Sequence, residues 1–312
     1  MSRRVATITL NPAYDLVGAC STIDVGGVNL VRTAGLNPAG KGNNVAKVLR
    51  DLGIDVTVSG FMGRENQEAF QHFFSENGMA NRFYLVSGRT RINVKLTEGK
   101  GQVTDFNFSG FTVSPQDWQR FATDSLNWLG HFDMVVVSGS LPSGIDPDAF
   151  TQWMIKLRQL CPCIIFDSSR DALVAGLKAA PWLIKPNHRE LEAWIGHSLT
   201  EMTDIIKVAH QLRDKGIAHV VISLGERGAL WVNASGAWLA NPPHCDVIST
   251  VGAGDSMVAG LVYGLLMSQT SEHTLRLATA ISALSVSQPD VGIKDRSQIA
   301  QMMTKIELTP IK

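Results

Sequence analysis

The sequence has no net charge, no long apolar run and few cysteines, and each absence excludes a class of protein. Lys plus Arg and Asp plus Glu both total 28 in 312 residues, so the formal net charge is zero. This balance favours neither a nucleic acid nor an acidic membrane as a partner. No apolar run approaches the roughly 20 residues that span a bilayer, and no signal peptide precedes the first apolar run. We therefore expect a cytoplasmic protein without a membrane partner.

The cysteines have no spacing typical of a metal site. They are Cys20, Cys161, Cys163 and Cys245. Cys161 and Cys163 flank a proline and are expected to be buried free thiols. The chain also lacks internal repeats, low-complexity segments and long linkers. Because 45% of its residues are hydrophobic, it can bury a sizeable core, and its length fits a single domain over residues 1–312.

Short apolar runs alternate with helical patterns along the chain. The runs typical of buried strands are residues 5–10, 56–61, 134–137, 164–166, 183–184 and 220–222. Between the first two, Val45, Val48, Leu49 and Leu52 repeat with the period of a helix face. Strands separated by helices predict an α/β fold with a doubly wound, mainly parallel sheet flanked by helices. Ligands bind such sheets at the carboxyl ends of the strands.

Two stretches have the period of a two-sided sheet instead. Residues 91–97 and 104–108 alternate strictly between polar and apolar side chains. One face carries Arg91, Asn93, Lys95, Asp105 and Asn107, and the other carries Ile92, Val94, Leu96, Phe106 and Phe108. Residues 17–33 are also strand-like. We predict a small β-sheet from about 17–33 and 89–109, inserted into the domain, with a plain edge hairpin as the alternative.

The most informative motif is a glycine turn before an apolar helical run, Thr250-Val251-Gly252-Ala253-Gly254-Asp255. Two glycines let the backbone turn tightly and approach a ligand closely. Several amide groups at the start of the helix then point at one spot and form an anion site. Asp255 beside this site fits a general base, with the amides receiving charge on a phosphoryl group. An ordinary helix cap is the alternative.

A second glycine-rich helix start is Ala39-Gly40-Lys41-Gly42-Asn43-Asn44. It lacks the full spacing of a nucleotide P-loop, so we expect it to bind a sugar or its phosphate. Asn187-x-x-Glu190 follows a strand, and Glu190 could hold Mg²⁺ through water, although such a pair is also a common helix cap. Ser223 to Gly228 ends another strand with Gly-x-x-Gly, which fits a phosphate loop or a plain hairpin turn.

Together with Asn11-Pro12-Ala13-Tyr14-Asp15 and Ser138-Gly139-Ser140, these motifs match the order and spacing of the ribokinase-like (PfkB) sugar kinases along essentially the whole chain. The resemblance is strongest to the bacterial 1-phosphofructokinase branch of that family. It implies a ribokinase-like fold in which the small sheet is a lid that covers the sugar and clasps a second subunit as a homodimer. It also implies ATP and Mg²⁺ as cofactors, and a monovalent cation such as K⁺ near Ser249 and Val251.

The resemblance also assigns roles to individual residues. The catalytic set is Asp255 with Gly252, Ala253 and Gly254. The sugar-phosphate set is Asp15, Gly40, Lys41, Asn44, Arg91, Asn107 and Ser140. The nucleotide set is Lys185, Asn187, Ser223, Gly225, Gly228, Thr250 and Ser285. Glu190 is the metal residue, and the segment from Ser285 to Gly292 walls the adenine.

The expected reaction is ATP-dependent phosphorylation of fructose 1-phosphate at O6, which gives fructose 1,6-bisphosphate. Phosphorylation of tagatose 6-phosphate is the first alternative and that of fructose 6-phosphate the second. The motifs do not separate these substrates on physical grounds, so the choice follows the overall resemblance. A non-catalytic sugar-phosphate sensor on the same fold is an alternative of another class. A dehydrogenase would need G-x-G-x-x-G after the first strand, and Asn11-Pro12-Ala13-Tyr14-Asp15 stands there instead.

Overall fold

The computed structural model describes residues 3–99 and 102–311. Its main sheet has ten strands. From one edge to the other they are β14 (Glu307–Ile311), β13 (Gly236–Asn241), β12 (Ala229–Asn233), β11 (His219–Ser223), β10 (Leu183–Ile184), β9 (Ile164–Asp167), β8 (Met134–Ser138), β1 (Arg4–Thr9), β4 (Asp55–Gly63) and β5 (Ala80–Val86). In this spatial order, the seven strands β11, β10, β9, β8, β1, β4 and β5 pair in parallel. Strands β12, β13 and β14 pair antiparallel at the other edge. The predicted mainly parallel sheet is confirmed.

Helices cover both faces of this sheet. They are α1 (Lys41–Asp51), α2 (Glu68–Glu76), α3 (Pro115–Leu129), α4 (Pro147–Leu160), α5 (Arg170–Lys178), α6 (His188–Ile195), α7 (Met202–Asp214), α8 (Ala253–Leu266), α9 (Ser271–Val286) and α10 (Ser297–Met303). Side chains of α3 to α7 pack in one core, and those of α1, α2 and α8 to α10 pack in the other. Strand β8 sends Val135 and Val137 into the first core and Met134 and Val136 into the second. Burial on both faces explains why the parallel strands read as continuous apolar runs.

A separate four-stranded sheet forms the lid. Its strand order is β3 (Arg32–Ala39), β2 (Ala13–Cys20), β6 (Arg91–Glu98) and β7 (Val103–Asn107). The predicted 17–33 segment is only partly correct, because residues 21–31 form a mostly exposed connection rather than a strand. Asp24, Gly26 and Gly27 in that connection are typical turn residues. Strands β2 and β3 extend beyond the predicted segment at its two ends, and Gly35, Asn37 and Pro38 hid the second extension because they have low strand propensity. Part of the predicted glycine-containing turn between β6 and β7, at Lys100 and Gly101, lies outside the described residues.

The register of the lid confirms its two predicted faces. Asn93 pairs with Asn107 across β6 and β7, and Lys95 pairs with Asp105. In the alternate row, Val94 pairs with Phe106. Strand β2 adds Asp15 to the polar face opposite Asn93. The lid is therefore a sheet with one polar and one apolar face, held by strands from two separate parts of the chain.

Two further expectations concern cysteines and membranes. All four cysteines are free, but only Cys161 is buried, and burial raises the pKa of its thiol to about 11, so it stays protonated. Across the described part of the chain, none of the helices has both the length and the hydropathy needed to cross a bilayer.

Candidate active site

The glycine turn before α8 has the geometry of an anion site. Gly252 is the N-cap of α8 with φ at 75°, a left-handed conformation that favours glycine, and it offers no side chain to cap the helix. A Cβ at Gly252 would lie 2.4 Å from Cγ2 of Val291, so the turn has no room for one. The first amide groups of α8 therefore face the cleft without a side-chain cap. We call this group, from Gly252 to Gly254, the anion hole.

Asp255 is a buried carboxylate in the first turn of α8. Asn44 donates a hydrogen bond of 2.7 Å from Nδ2 to Oδ2 of Asp255. Burial raises the pKa of Asp255 to about 6, and Lys41, Asn44 and Lys185 oppose the rise while Asp167 adds to it. The carboxylate is thus ionised at neutral pH and is more basic than an exposed Asp, which suits a general base.

A second carboxylate, Asp167, holds two lysines together in the cleft. It ends β9 and is fully buried. Nζ of Lys41 lies 3.2 Å from both carboxylate oxygens, and Nζ of Lys185 lies 3.4 Å from Oδ1. The sequence places Asp167 after a strand run, where the polar residues of a ligand site are expected to converge, but it assigns Asp167 no individual role. Its position at the carboxyl end of a parallel strand was the available signal.

Lys41 lies among carboxylates on both sides of the cleft. Its Nζ is also 3.9 Å from Oε1 of Glu190. Burial alone would lower the pKa of Lys41, but Asp167, Asp255 and Glu190 outweigh burial and raise it above its usual range. Lys41 therefore stays charged close to the predicted base. Its assignment to the phosphate of the sugar stays a prediction.

Lys185 brings a second positive charge to the anion hole. Its side chain is buried. A Cβ built on Gly254 would lie 3.4 Å from Nζ of Lys185, so the ammonium group stands at the anion hole itself. The amide of Ala253 donates to the carbonyl of Thr250 at 3.4 Å, and no side chain caps the start of α8. A buried cation beside such a helix start favours a multiply charged anion such as a phosphoryl group.

Asn187 and Glu190 form a capping box at the start of α6. Oδ1 of Asn187 accepts from the amide of Glu190, and Oε2 of Glu190 accepts from the amide of Asn187, both at 2.8 Å. The cap interpretation is thus confirmed. Oε1 of Glu190 remains directed toward Lys41. Burial raises the pKa of Glu190, Lys41 lowers it and Asp167 raises it further.

The donor set fits a magnesium ion that is held mainly by water and phosphate. Among residues 3–99 and 102–311, no group of three or more His, Cys, Asp or Glu side chains could hold a metal ion. Mg²⁺ typically uses one or two carboxylates and takes its other ligands from substrate phosphates and water. Glu190 has one carboxylate oxygen outside the capping box, so it can supply the single protein carboxylate that such a magnesium ion needs.

The predicted sugar residues meet at the junction of β1 with the lid. Nδ2 of Asn11 donates to Oγ of Ser140 at 3.0 Å. Arg91 donates to the carbonyl of Asn11 at 3.3 Å, and burial lowers the pKa of its guanidinium while Asp15 opposes the change. Asp15 accepts from Nζ of Lys95 at 2.6 Å. These polar groups bond to one another, and their contact with a sugar stays a prediction.

Gly40 begins α1 in a conformation that favours glycine. Its φ is 119°, and a Cβ there would lie 3.0 Å from Thr9 and 3.1 Å from Pro12. The close approach brings the start of α1, with Lys41 and Asn44, against the end of β1. Asn107 lies farther out, on the polar face of the lid opposite Asn93.

The predicted nucleotide residues lie on the other side of Asp167. Ser223 ends β11 and is bridged to Asn187. Gly225 and Gly228 both have positive φ in the tight turn from β11 into antiparallel β12, so the hairpin interpretation is confirmed as structure. Whether this turn also contacts ATP stays a prediction.

Two more predicted nucleotide residues flank the anion hole. Thr250 is exposed two residues before Gly252. Ser285 is buried within α9, and its hydroxyl donates to the carbonyl of Ser282 at 2.8 Å. The amide of Val251 donates to Oγ of Ser249 at 3.2 Å. The nucleotide roles of Thr250 and Ser285 stay predictions.

Comparison with known proteins agrees with this geometry. A family model described as pfkB family carbohydrate kinase matches residues 5–297. The 1-phosphofructokinase of Escherichia coli is 72% identical over 310 residues, which are 99% of each chain. The 1-phosphofructokinase of Haemophilus influenzae is 52% identical over 309 residues, again 99% of each chain. The structure of phosphofructokinase-2 from Escherichia coli in complex with potassium has a TM-score of 0.87 at 25% identity, covering 97% of this chain and 99% of that one. The chain belongs to the PfkB family of carbohydrate kinases.

Proposed function

We propose that the protein transfers the γ-phosphoryl group of ATP to O6 of fructose 1-phosphate and forms fructose 1,6-bisphosphate and ADP. The observation that carries the proposal is the buried Asp255 carboxylate beside the anion hole. The relatives named 1-phosphofructokinase, similar over nearly the whole chain, support the choice of sugar phosphate.

Asp255 acts as the base in this reaction. O6 of the sugar attacks the γ-phosphorus, the bond from that phosphorus to the bridging oxygen of ADP breaks, and the O6 proton passes to the carboxylate. With its pKa raised to about 6, Asp255 is ionised at neutral pH and accepts the proton readily. The amides of the anion hole stabilise the charge on the transferring group.

Lys185 and Lys41 place positive charge where negative charge collects. Phosphoryl transfer depends mostly on positioning and on neutralising charge, rather than on covalent chemistry by the protein. Asp167 keeps both ammonium groups at one point through its two oxygens. Glu190 would hold Mg²⁺ through water, and the ion supplies charge neutralisation on the nucleotide phosphates when bound.

Asp15 and the lid bind the sugar. A carboxylate accepts hydrogen bonds from two neighbouring hydroxyls, and Asp15 now accepts from Asn93 and Lys95 in their place. Asn44, Gly40, Ser140 and Asn107 contribute further polar contacts around the same pocket. Arg91 neutralises the 1-phosphate. Lys41, which the sequence also assigns to that phosphate, lies with Asp167 and Glu190 at the end of the sugar where O6 reacts.

The nucleotide lies along Lys185, Asn187 and the turn from Ser223 to Gly228. Thr250 and Ser285 flank its phosphate and adenine ends. A monovalent cation such as K⁺ binds near Ser249 and Val251, as the potassium complex of a related kinase suggests. The protein works in the cytoplasm as a homodimer joined through its lids.

A coupled assay of ADP release tests the substrate choice directly. Fructose 1-phosphate, fructose 6-phosphate, tagatose 6-phosphate and free fructose are compared at equal ATP and Mg²⁺. We expect kcat/KM to be highest for fructose 1-phosphate. A higher value for tagatose 6-phosphate or fructose 6-phosphate would replace the proposed substrate, and no ADP release with any sugar would favour the sensor.

A further inference from the structure

The segment that follows α9, residues 287–293, packs against the anion hole. A Cβ at Gly252 would meet Cγ2 of Val291 at 2.4 Å, so the Val291 side chain is in contact with the turn. This side chain leaves the turn little room to move toward the segment. The position of the segment therefore bears on the position of the anion-hole amides.

The same segment is hydrogen-bonded to the C-terminal end of α1. Oδ2 of Asp51 accepts a hydrogen bond of 2.8 Å from the amide of Ile293. The other oxygen, Oδ1, lies 2.5 Å from Nζ of Lys47, one helical turn earlier. Both oxygens of the carboxylate are thus engaged, and Lys47 fixes the side chain in the orientation that meets the segment.

Gly292 allows this contact to be so close. Its φ is 134°, and a Cβ there would lie 2.8 Å from Oδ2 of Asp51 and 3.3 Å from Nζ of Lys47. A side chain at position 292 would push the segment away from α1. The bare backbone of Gly292 lets the amide of the next residue reach the carboxylate.

Helix α1 connects the hydrogen bond between Asp51 and Ile293 to the predicted base, Asp255. Asn44, in its first turns, donates to the base Asp255, and Lys41 begins the same helix. Eleven residues of α-helix form a stiff rod of about 16 Å. Asp51, in the last turn, therefore joins residues 287–293 to the helix that also carries Lys41 and Asn44.

We propose that Asp51 is a positioning residue for the nucleotide. It holds residues 287–293 against the anion hole, so that the phosphates of ATP meet amides already in place. The proposal rests on the proposed function in taking the anion hole as the phosphate site. The hydrogen bonds of Asp15 and Arg91 on the sugar side join them to residues 11–12 and 93–95 rather than to this segment, so sugar binding should depend on Asp51 less than nucleotide binding does.

Asp51→Ala and Asp51→Asn test the proposal. We expect Asp51→Ala to weaken ADP binding, measured by calorimetry with Mg²⁺, by about tenfold, since a hydrogen bond to a charged group is lost. KM for ATP should rise by a similar factor, with KM for fructose 1-phosphate changed less than twofold. Asp51→Asn keeps the shape and one acceptor, and we expect a loss of about threefold.

Hydrogen exchange supplies a readout that needs no substrate. In the nucleotide-free protein, Asp51→Ala should speed exchange in a peptide covering residues 287–294 and leave peptides of the lid unchanged. Lys294→Ala is the matched control, because it breaks an exposed ion pair with Asp290 in the same region and leaves Asp51 intact. We expect wild-type exchange and ADP affinity for this variant.

The outcomes separate the two proposals. If both Asp51 variants bind ADP as tightly as the wild type, or if sugar and nucleotide binding weaken equally, Asp51 is not a positioning residue for the nucleotide. If the wild-type protein itself binds no ADP, the proposed function fails, and exchange at residues 287–294 still reports whether Asp51 holds the segment.

Discussion

At the scale of single residues, Asp255 carries the largest share of the proposed chemistry. Replacing it with Asn keeps the size of the side chain and the contact with Asn44 but removes the base. We expect kcat to fall by roughly 10²–10⁴, the usual contribution of a positioned base. ADP affinity and the thermal midpoint should stay near wild type. Retention of more than about a tenth of the wild-type kcat would remove Asp255 from the role of base.

The pH dependence of the reaction follows from the same carboxylate. Burial raises the pKa of Asp255 to about 6, and only the ionised form accepts a proton. We therefore expect kcat/KM to be constant above pH 7 and to fall about tenfold per pH unit well below pH 6. The residual activity of Asp255→Asn should lack this acid limb. An acid limb near pH 4 would mean that the carboxylate behaves like an exposed Asp.

Glu190 combines a structural and a functional role. Its Oε2 completes the capping box, and its Oε1 faces the cleft. Glu190→Gln keeps an acceptor for the cap and removes the charge, so the Mg²⁺ concentration for half-maximal rate should rise by about tenfold, with KM for the sugar phosphate unchanged. Glu192→Gln, on the same helix, is the matched control. An unchanged Mg²⁺ titration would leave Glu190 with the cap alone.

At the scale of secondary-structure elements, the sequence predicted those parts of the fold that depend on local pattern. The buried parallel strands, the first helix and the two-sided lid strands each follow from periodicity within one segment. The full extent of β2 and β3 did not, because Gly35, Asn37 and Pro38 are in strand conformation only by pairing with a distant part of the chain. Long-range pairing overrides local propensity at such positions.

The candidate site divides in the same way. Gly252 to Asp255 and Asn187 to Glu190 were found because each motif is contiguous. Neither the individual role of Asp167 nor any role of Asp51 was predicted, since their importance lies in contacts with residues more than a hundred positions away. An Asp after a strand is placed at the ligand-binding edge by sequence, but its partners are not, and an Asp near a helix end is not placed at a site at all.

Variants in the lid and in α1 should separate the effects on sugar-phosphate binding from those on nucleotide binding. Arg91→Ala removes a guanidinium from the junction of the lid with β1, and a charge-assisted bond to phosphate contributes on the order of 1.5–3 kcal/mol. KM for fructose 1-phosphate should then rise about ten- to a hundredfold with KM for ATP little changed. Lys41→Ala, whose ammonium lies between Asp167 and Glu190, should show whether that residue follows Arg91 or affects both substrates. Equal loss of ATP and sugar binding in Arg91→Ala would mean that the sugar phosphate lies elsewhere.

At the scale of the whole molecule, the lid leaves an apolar surface uncovered. Leu36, Leu16, Val94 and Phe106 form one row across all four of its strands. Leu36 is 52% exposed and Phe106 46% exposed, whereas Ile92, near the base of the lid, packs on the main core. An exposed apolar patch of this kind usually marks an interface. The outer part of the lid thus has no partner within the described chain.

A two-fold dimer, with one lid packed on the other, would bury this row in a self-complementary way. Changing Val94 and Phe106 together to Asp should give monomers by light scattering at micromolar concentration. Because β6 also carries Asn93 and Lys95, which bond to Asp15, the monomer should bind fructose 1-phosphate at least tenfold more weakly and ADP normally. Val174→Asp, at an exposed apolar site on α5, adds the same charge away from the lid and should stay dimeric. A wild-type monomer at micromolar concentration would contradict the dimer, and the exposed row would then need another partner.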